Sequence, residues 1–389
     1  MGGLYKKAIL RLNFVLMLFI ILCNNISTAY AAENTNTENT NIDMYDYSNI
    51  DEAINDAGYS GSFEDILKII YGDYSTQNTN NSFKNKLIRI FDEVIGYAIK
   101  SNKMTVVQII LLAVLSAAIN CFTPSFGKDQ VSETAQMVIN IALISILFAT
   151  FTNSYKISEN AILSCVSVYK AVIPVFFSAV VAVTGSVTAT VYYEVVLMLI
   201  TFVNMFFKNI LLPFNKIYII FSMADSVTQR EYFTKAASFV PAIIKISCRV
   251  AIIFFTGLGG IKGITAPMAD SIKKKVFYKA VESIPVVGDS LDAVGQTVMS
   301  AGTLVKNTIG VGAIIIIIVI CSIPVIKLVV TMCLLKVVSA VIEPVADKQI
   351  VKAVNCVADT IGFMSLIVLT CAGLFILMAA VICIVSNVN

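Results

Sequence analysis

At 389 residues, 57% hydrophobic and only 14% charged, the chain departs from soluble globular proteins, which are about 45–50% apolar and about 25% charged. Its mean hydropathy of +0.83 is that of a polytopic membrane protein. The net charge of +3 gives no argument for nucleic acid, and the absence of His removes the commonest metal ligand and general base.

Met1 to Ala31 reads as a secretory signal peptide: Lys6, Lys7 and Arg11, then an apolar run from Leu12 to Cys23, then Ala29-Tyr30-Ala31 as an A-x-A cleavage site. Leu22 is too bulky for a lipoprotein signal at Cys23, and an uncleaved anchor is the other reading of this run. Residues 32–103 form an extracytoplasmic region in this reading. It opens on a low-complexity NTNTENTN run and continues with Asp43, Asp46, Asp51, Glu52, Asp56, Glu64, Asp65 and Asp73. Two amphipathic helices are expected, Phe63 to Tyr71 and Phe83 to Ala98.

Residues 104–389 make the transmembrane domain, and the fold class is all-α. Seven spans are expected: Met104 to Phe122, Ala135 to Phe151, Ile162 to Val191, Val195 to Leu212, Phe239 to Gly260, Val311 to Leu335 and Ile361 to Ile384. Pro213 to Met223 is a candidate half-helix. Lys262, Lys273, Lys274, Lys275 and Lys279 crowd the loop after Gly260, which the positive-inside rule places in the cytoplasm. With five spans before this loop, the acidic region around Asp43 to Asp56 falls outside.

Ile284 to Gly310 is the most informative stretch. Asp289, Asp292, Gln296, Ser300, Thr303 and Asn307 recur every three or four residues, so one helix face carries them all. Gly288, Gly295 and Gly302 form a seven-residue seam that lets another helix approach closely. The stretch fits an amphipathic or re-entrant helix. Its polar face either lines a cavity or meets buried partners, and a surface helix is disfavoured because that face lacks Lys/Arg enrichment. A faint internal echo links Tyr169-Lys170-Ala171-Val172 to Tyr278-Lys279-Ala280-Val281, each followed by Pro-Val.

Ionisable residues inside apolar runs are functional candidates. Lys245 and Arg249 share one face, and Lys170, Lys208, Lys327, Lys336 and Glu343 lie near span ends or kinks, within snorkelling reach of the interface. Asp359 is too short to snorkel and needs water or a base, with Lys352 two turns before it. The nine cysteines form no C-x-x-C pair and behave as small hydrophobes. No H-E-x-x-H, G-x-S-x-G or Walker motif occurs, so no enzyme activity, metal or cofactor is expected.

The run from the basic loop through Ile284-Pro285-Val286-Val287-Gly288, Asp289, Asp292, Leu304-Val305-Lys306-Asn307 and Gly310 resembles the stage III sporulation protein AE family. The layout of signal peptide, short polar region and many spans resembles it as well. Where the family pattern carries Asp-Gly and an arginine, this chain has Asp270-Ser271 and Lys275. The resemblance implies a multi-pass protein of the mother-cell (outer forespore) membrane, part of a channel complex between mother cell and forespore. It also implies partners: other proteins of the same operon including a cytoplasmic ATPase, and a forespore-side membrane protein. A stand-alone secondary transporter for a small solute, or a non-conducting scaffold docking an ATPase and an intermembrane ring, are the alternatives.

Overall fold

The computed structural model describes residues 79–126, 129–184, 198–228, 233, 235–257, 317–318 and 320–387. Among them no strand occurs. Six helices carry the architecture: α1 (Thr79–Phe126), α2 (Asp129–Thr184), α3 (Met198 to Thr228), α4 (Lys235–Gly257), α5 (Ile320–Ile342) and α6 (Lys348–Asn387). Each holds a stretch long and apolar enough to cross a membrane: Val94–Ile119, Thr134–Val172, Met198–Asp225, Lys235–Gly257, Ile320–Ile342 and Lys348–Leu377.

The helices are fewer and longer than the hydropathy pattern implies. Phe83 to Ala98 and Met104 to Phe122 lie on α1 without a break, so the boundary between residues 103 and 104 falls inside a helix. Ala135 to Phe151 and the start of Ile162 to Val191 both belong to α2. The polar run between them, Thr152 to Asn160, is helical throughout, and its hydroxyls find their acceptors on the same helix. Thr152 donates to the Phe148 carbonyl, Ser154 to that of Thr150 and Ser158 to that of Ser154. Pro213 does not split α3 either. A π turn, Phe207–Leu211, precedes it, with the Leu212 N–H donating to the Phe207 carbonyl. The wider turn relieves the clash a proline ring makes with the turn before it. α6 begins at Lys348 rather than Ile361. The signal peptide, the Phe63 to Tyr71 helix, the lysine loop and the Ile284 to Gly310 stretch lie outside the described residues.

α6 is the centre of the bundle: 61% of its span is buried, against 17–33% for the other five. It packs on α2 through Tyr169 and Phe375, whose rings are 4.3 Å apart, and on α3 through Tyr218 and Phe363. On the α5 side Gly362 permits close approach, since a Cβ there would meet the Met332 sulfur at 2.8 Å. At one end of the bundle Gln136 Nε2 of α2 donates to Ser116 of α1 and to Asp347 Oδ2 in the α5–α6 turn, at 2.6 and 2.7 Å. Pro344 ends α5 at this turn, and Asp347 sits directly before α6, where an acidic residue suits a helix start.

These contacts fix the direction of every helix. Tyr97 meets Lys327, Asn102 meets Thr331 and Ser116 meets Asp347, so α1 runs parallel to α5. Glu159 meets Lys208 and Tyr155 meets Lys216, so α3 runs against α2. A short turn, with Phe233 stacked on Phe221, sends α4 back against α3. Four spans therefore separate Val94 from Gly257, and both emerge at the same end of the bundle. The acidic region around Asp43 to Asp56 and the lysine loop lie outside the described residues. The hydropathy pattern counts five spans before that loop, where the described residues hold four, because the polar middle of α2 reads as a break.

Candidate functional site: a charged layer at mid-span

The spans carry a band of polar and charged groups, with Lys245 and Asp359 near the middle of their spans and Lys336 six residues from the end of α5. On α6, Asp359 Oδ1 accepts an ion-paired hydrogen bond from Lys336 Nζ of α5 at 2.8 Å. Lys336 also donates to Asn355 Oδ1 at 3.1 Å, and the Asn355 amide donates to Ser339 Oγ. The base that Asp359 requires thus comes from the neighbouring helix, not from Lys352 on its own. Lys336 and Asp359 remain 30% and 47% exposed, so the pair is open on one side.

One turn along α6, Phe363 receives Lys245 of α4 on its ring face, 5.1 Å from the centroid, and the edge of Tyr218 from α3. Cys356, below Phe363, hydrogen-bonds with Tyr218 and Ser222 of α3. On the far side of α3, Lys216 lies over the Tyr155 ring at 4.1 Å, and Lys208, in the π turn, pairs with Glu159 at 3.5 Å. Asn204, fully buried before that turn, has no hydrogen-bond partner for its carboxamide, while Asn215 donates to the Leu211 carbonyl. The layer thus joins five helices.

Depth decides what this layer means. Lys245 lies ten residues from one end of α4 and twelve from the other, about 15 and about 18 Å along the axis. That is farther than a lysine side chain extends, so snorkelling does not account for Lys245 once α4 starts at Lys235. Lys327, by contrast, lies over the Tyr97 ring, and Glu343 is exposed in the α5–α6 turn. Charges at the middle of a span require water or polar partners.

Three thiols meet in the core more than three turns of α6 beyond Asp359: Cys165 of α2, Cys321 of α5 and Cys371 of α6, with Cys248 of α4 beside Cys371 and hydrogen-bonded with Thr370. They are free, and among the described residues no group of three or more His, Cys, Asp or Glu could hold a metal ion. The residues singled out by sequence, Asp289, Asp292, Gln296, Ser300, Thr303, Asn307, the three glycines and the lysines of the loop, lie outside the described residues. Of the charges read from sequence, Lys208, Lys245, Lys336 and Asp359 are brought into the layer. Glu159 and Lys216 were missed. The signal for Glu159 was the polar interruption in an otherwise apolar α2.

An all-helical bundle of membrane-length spans with charges at their middle defines a polytopic membrane protein. Comparison with known proteins narrows that class. The model of the family described as stage III sporulation protein AE matches residues 65–386, so the chain belongs to the stage III sporulation protein AE family. It is 23% identical over 325 residues to the stage III sporulation protein AE of Bacillus subtilis (strain 168), covering 83% of this chain and 80% of that one. No solved structure matches.

Proposed function

We propose that this sporulation-family membrane protein is an embedded component of a channel or transport complex between mother cell and forespore. It resides in the mother-cell membrane around the forespore. It works with other proteins of its operon, a cytoplasmic ATPase and a forespore-side membrane protein among them, and is not itself an enzyme. The single observation that carries this reading is the charged layer at mid-span, half-open at Lys336 and Asp359. A purely structural anchor gains nothing from such charges, whereas a transport path needs polar groups at that depth. In the same reading residues 1–31 are removed, and the polar face from Asp289 to Asn307 adds to the lining of the path.

The test is genetic and cytological. Deleting the gene in its own endospore-forming host should collapse the yield of heat-resistant spores. A fluorescent fusion should gather around the engulfed forespore. A normal spore yield with uniform membrane fluorescence would overturn the proposal. Solute uptake by the purified protein alone would favour the stand-alone transporter.

A further inference from the structure

α6 keeps a partly exposed stripe at the edge of its contact with α5, which Asn355, Asp359 and Gly362 touch through Ser339, Lys336 and Met332. Asn355, Asp359, Gly362, Leu366, Leu369 and Gly373 are all partly exposed, and steps of four and three residues place them on one helix face. Between them Ile361, Met364, Ile367 and Cys371 are fully buried. A Cβ added at Gly373 would meet nothing within 4 Å, so the stripe borders open space there as well. A carboxylate that is 47% exposed at this depth does not face hydrocarbon. At the midpoint of the stripe Lys245 and Lys336 stand against Asp359, one positive charge in excess, and the exposed Lys352, one turn before Asn355 on the same face, adds another. The α2–α3 side of the layer adds Lys208 and Lys216 against Glu159, with the same sign of excess. Among the described residues no carboxylate pairs with Lys245, whose ammonium rests on the Phe363 ring.

We infer that the open stripe of α6 borders a water-filled cleft, and that the Lys245–Lys336–Asp359 constellation at its midpoint is a binding site for small anions of the carboxylate or phosphate class. The inference rests on the transport reading above and names its substrate class. Low-dielectric walls focus the field of an unbalanced cation into the cleft, so an anion gains there what a cation loses. Lys336, held by Asp359 and Asn355, is fixed in place, while Lys245 is the cation left to meet the guest.

The test uses the full-length protein in liposomes, with the exposed native thiols Cys121 and Cys333 replaced by alanine. Leu366→Cys places a thiol on the stripe near Lys245, and Gly373→Cys places a second where the space is open. Two membrane-impermeant thiosulfonate reagents of similar size, one bearing a sulfonate and one a trimethylammonium group, are the probes. Each rate is divided by the rate with a free thiol in solution. The sulfonate should be favoured about sixfold or more, as expected for one unit charge at about 8 Å that attracts one probe and repels the other in a medium as polar as water. Lys245→Gln should bring the ratio to about one, and Asp359→Asn should raise it, a reversal that a merely structural role does not produce. Lack of reaction at both positions overturns the cleft. Equal normalised rates, or a ratio indifferent to Lys245→Gln, overturn the anion site. Either failure can occur with spore formation still dependent on the gene, so the two readings fail separately.

Discussion

α4 and α6 are both apolar, both long enough to span, and both charged near the middle, yet they occupy opposite positions in the bundle. α4 buries one narrow stripe, Ala237, Val240, Ile244, Cys248, Ala251 and Phe255, in steps of three and four residues. Phe239, Ile246, Val250 and Ile253 face outwards. α6 is buried nearly all round. Content of small residues does not separate them, since α4 carries Ala236, Ala237, Ala242, Ser247 and Ala251 as α6 carries Ala353, Ala358, Gly362 and Ala372. What differs is placement, with Gly362 of α6 set directly against Met332 of α5. In lipid, apolarity does not choose the centre of a bundle, because tails are as apolar as side chains; such close contacts do.

The largest effect expected is an all-or-none labelling result that tests the frame within which both helices run. Gly96→Cys and Gly257→Cys add side chains where nothing lies within 4 Å, so both variants should fold. An impermeant thiol reagent should reach both from the same side of the membrane, and Glu343→Cys from the other side only. Labelling of positions 96 and 257 from opposite sides would break the helix directions derived above.

Next comes the core against the periphery. Phe375 of α6 is fully buried against Tyr169, and Phe375→Ala should cost about 3–5 kcal/mol in detergent unfolding. Phe254 of α4 is 49% exposed, and Phe254→Ala should change stability by no more than about 0.5 kcal/mol. Equal losses would erase the distinction between the two helices.

The ion pair sharpens the comparison. Lys336→Met leaves Asp359 without its base. Stranding a fully buried charge costs roughly 3–5 kcal/mol, but both side chains here are partly exposed, and solvent screening lowers the expectation to about 1–2 kcal/mol. Adding Asp359→Leu in the same chain should return most of that loss. A double variant no better than Lys336→Met would mean that the two groups act independently.

The smallest effect lies at the α1–α2 clasp. Gln136→Leu removes the donor shared by Ser116 and Asp347, and the apparent unfolding free energy should fall by about 1 kcal/mol. No change would mean that water takes over the clasp.

The helical class, the membrane character and the family were legible from hydropathy and from the residues around Ile284 to Gly310. The number and length of the spans were not. Thr152 to Asn160 reads as a loop because polarity normally marks an aqueous turn, yet Thr152, Ser154 and Ser158 spend their hydroxyls on their own helix and Glu159 finds Lys208. Asp359 was legible as a charge in need of a base. Its partner was not, because a contact between residues 336 and 359 depends on how two helices cross, and the same-helix candidate Lys352 is closer in sequence. Lys245 seemed within reach of an interface only because the start of α4 was placed four residues too late.

The π turn of α3 has a consequence for rotational phase. The residues α3 buries run from Ile200 through Asn204, Phe207, Leu211, Asn215 and Ile219 to Met223. A regular α-helix turns about 100° per residue, so over this distance the buried line would wander by about 140° around the axis. The one residue absorbed by the wider turn takes back about 100° of that drift and leaves the two ends about 40° apart. The bulge works as a one-notch clutch. It lets a single rod present its upper and lower halves to the same neighbours; a one-residue deletion within Phe207–Leu211 would close it into a plain α turn with both halves still in phase, whereas one further inserted residue would turn one of them away from the core.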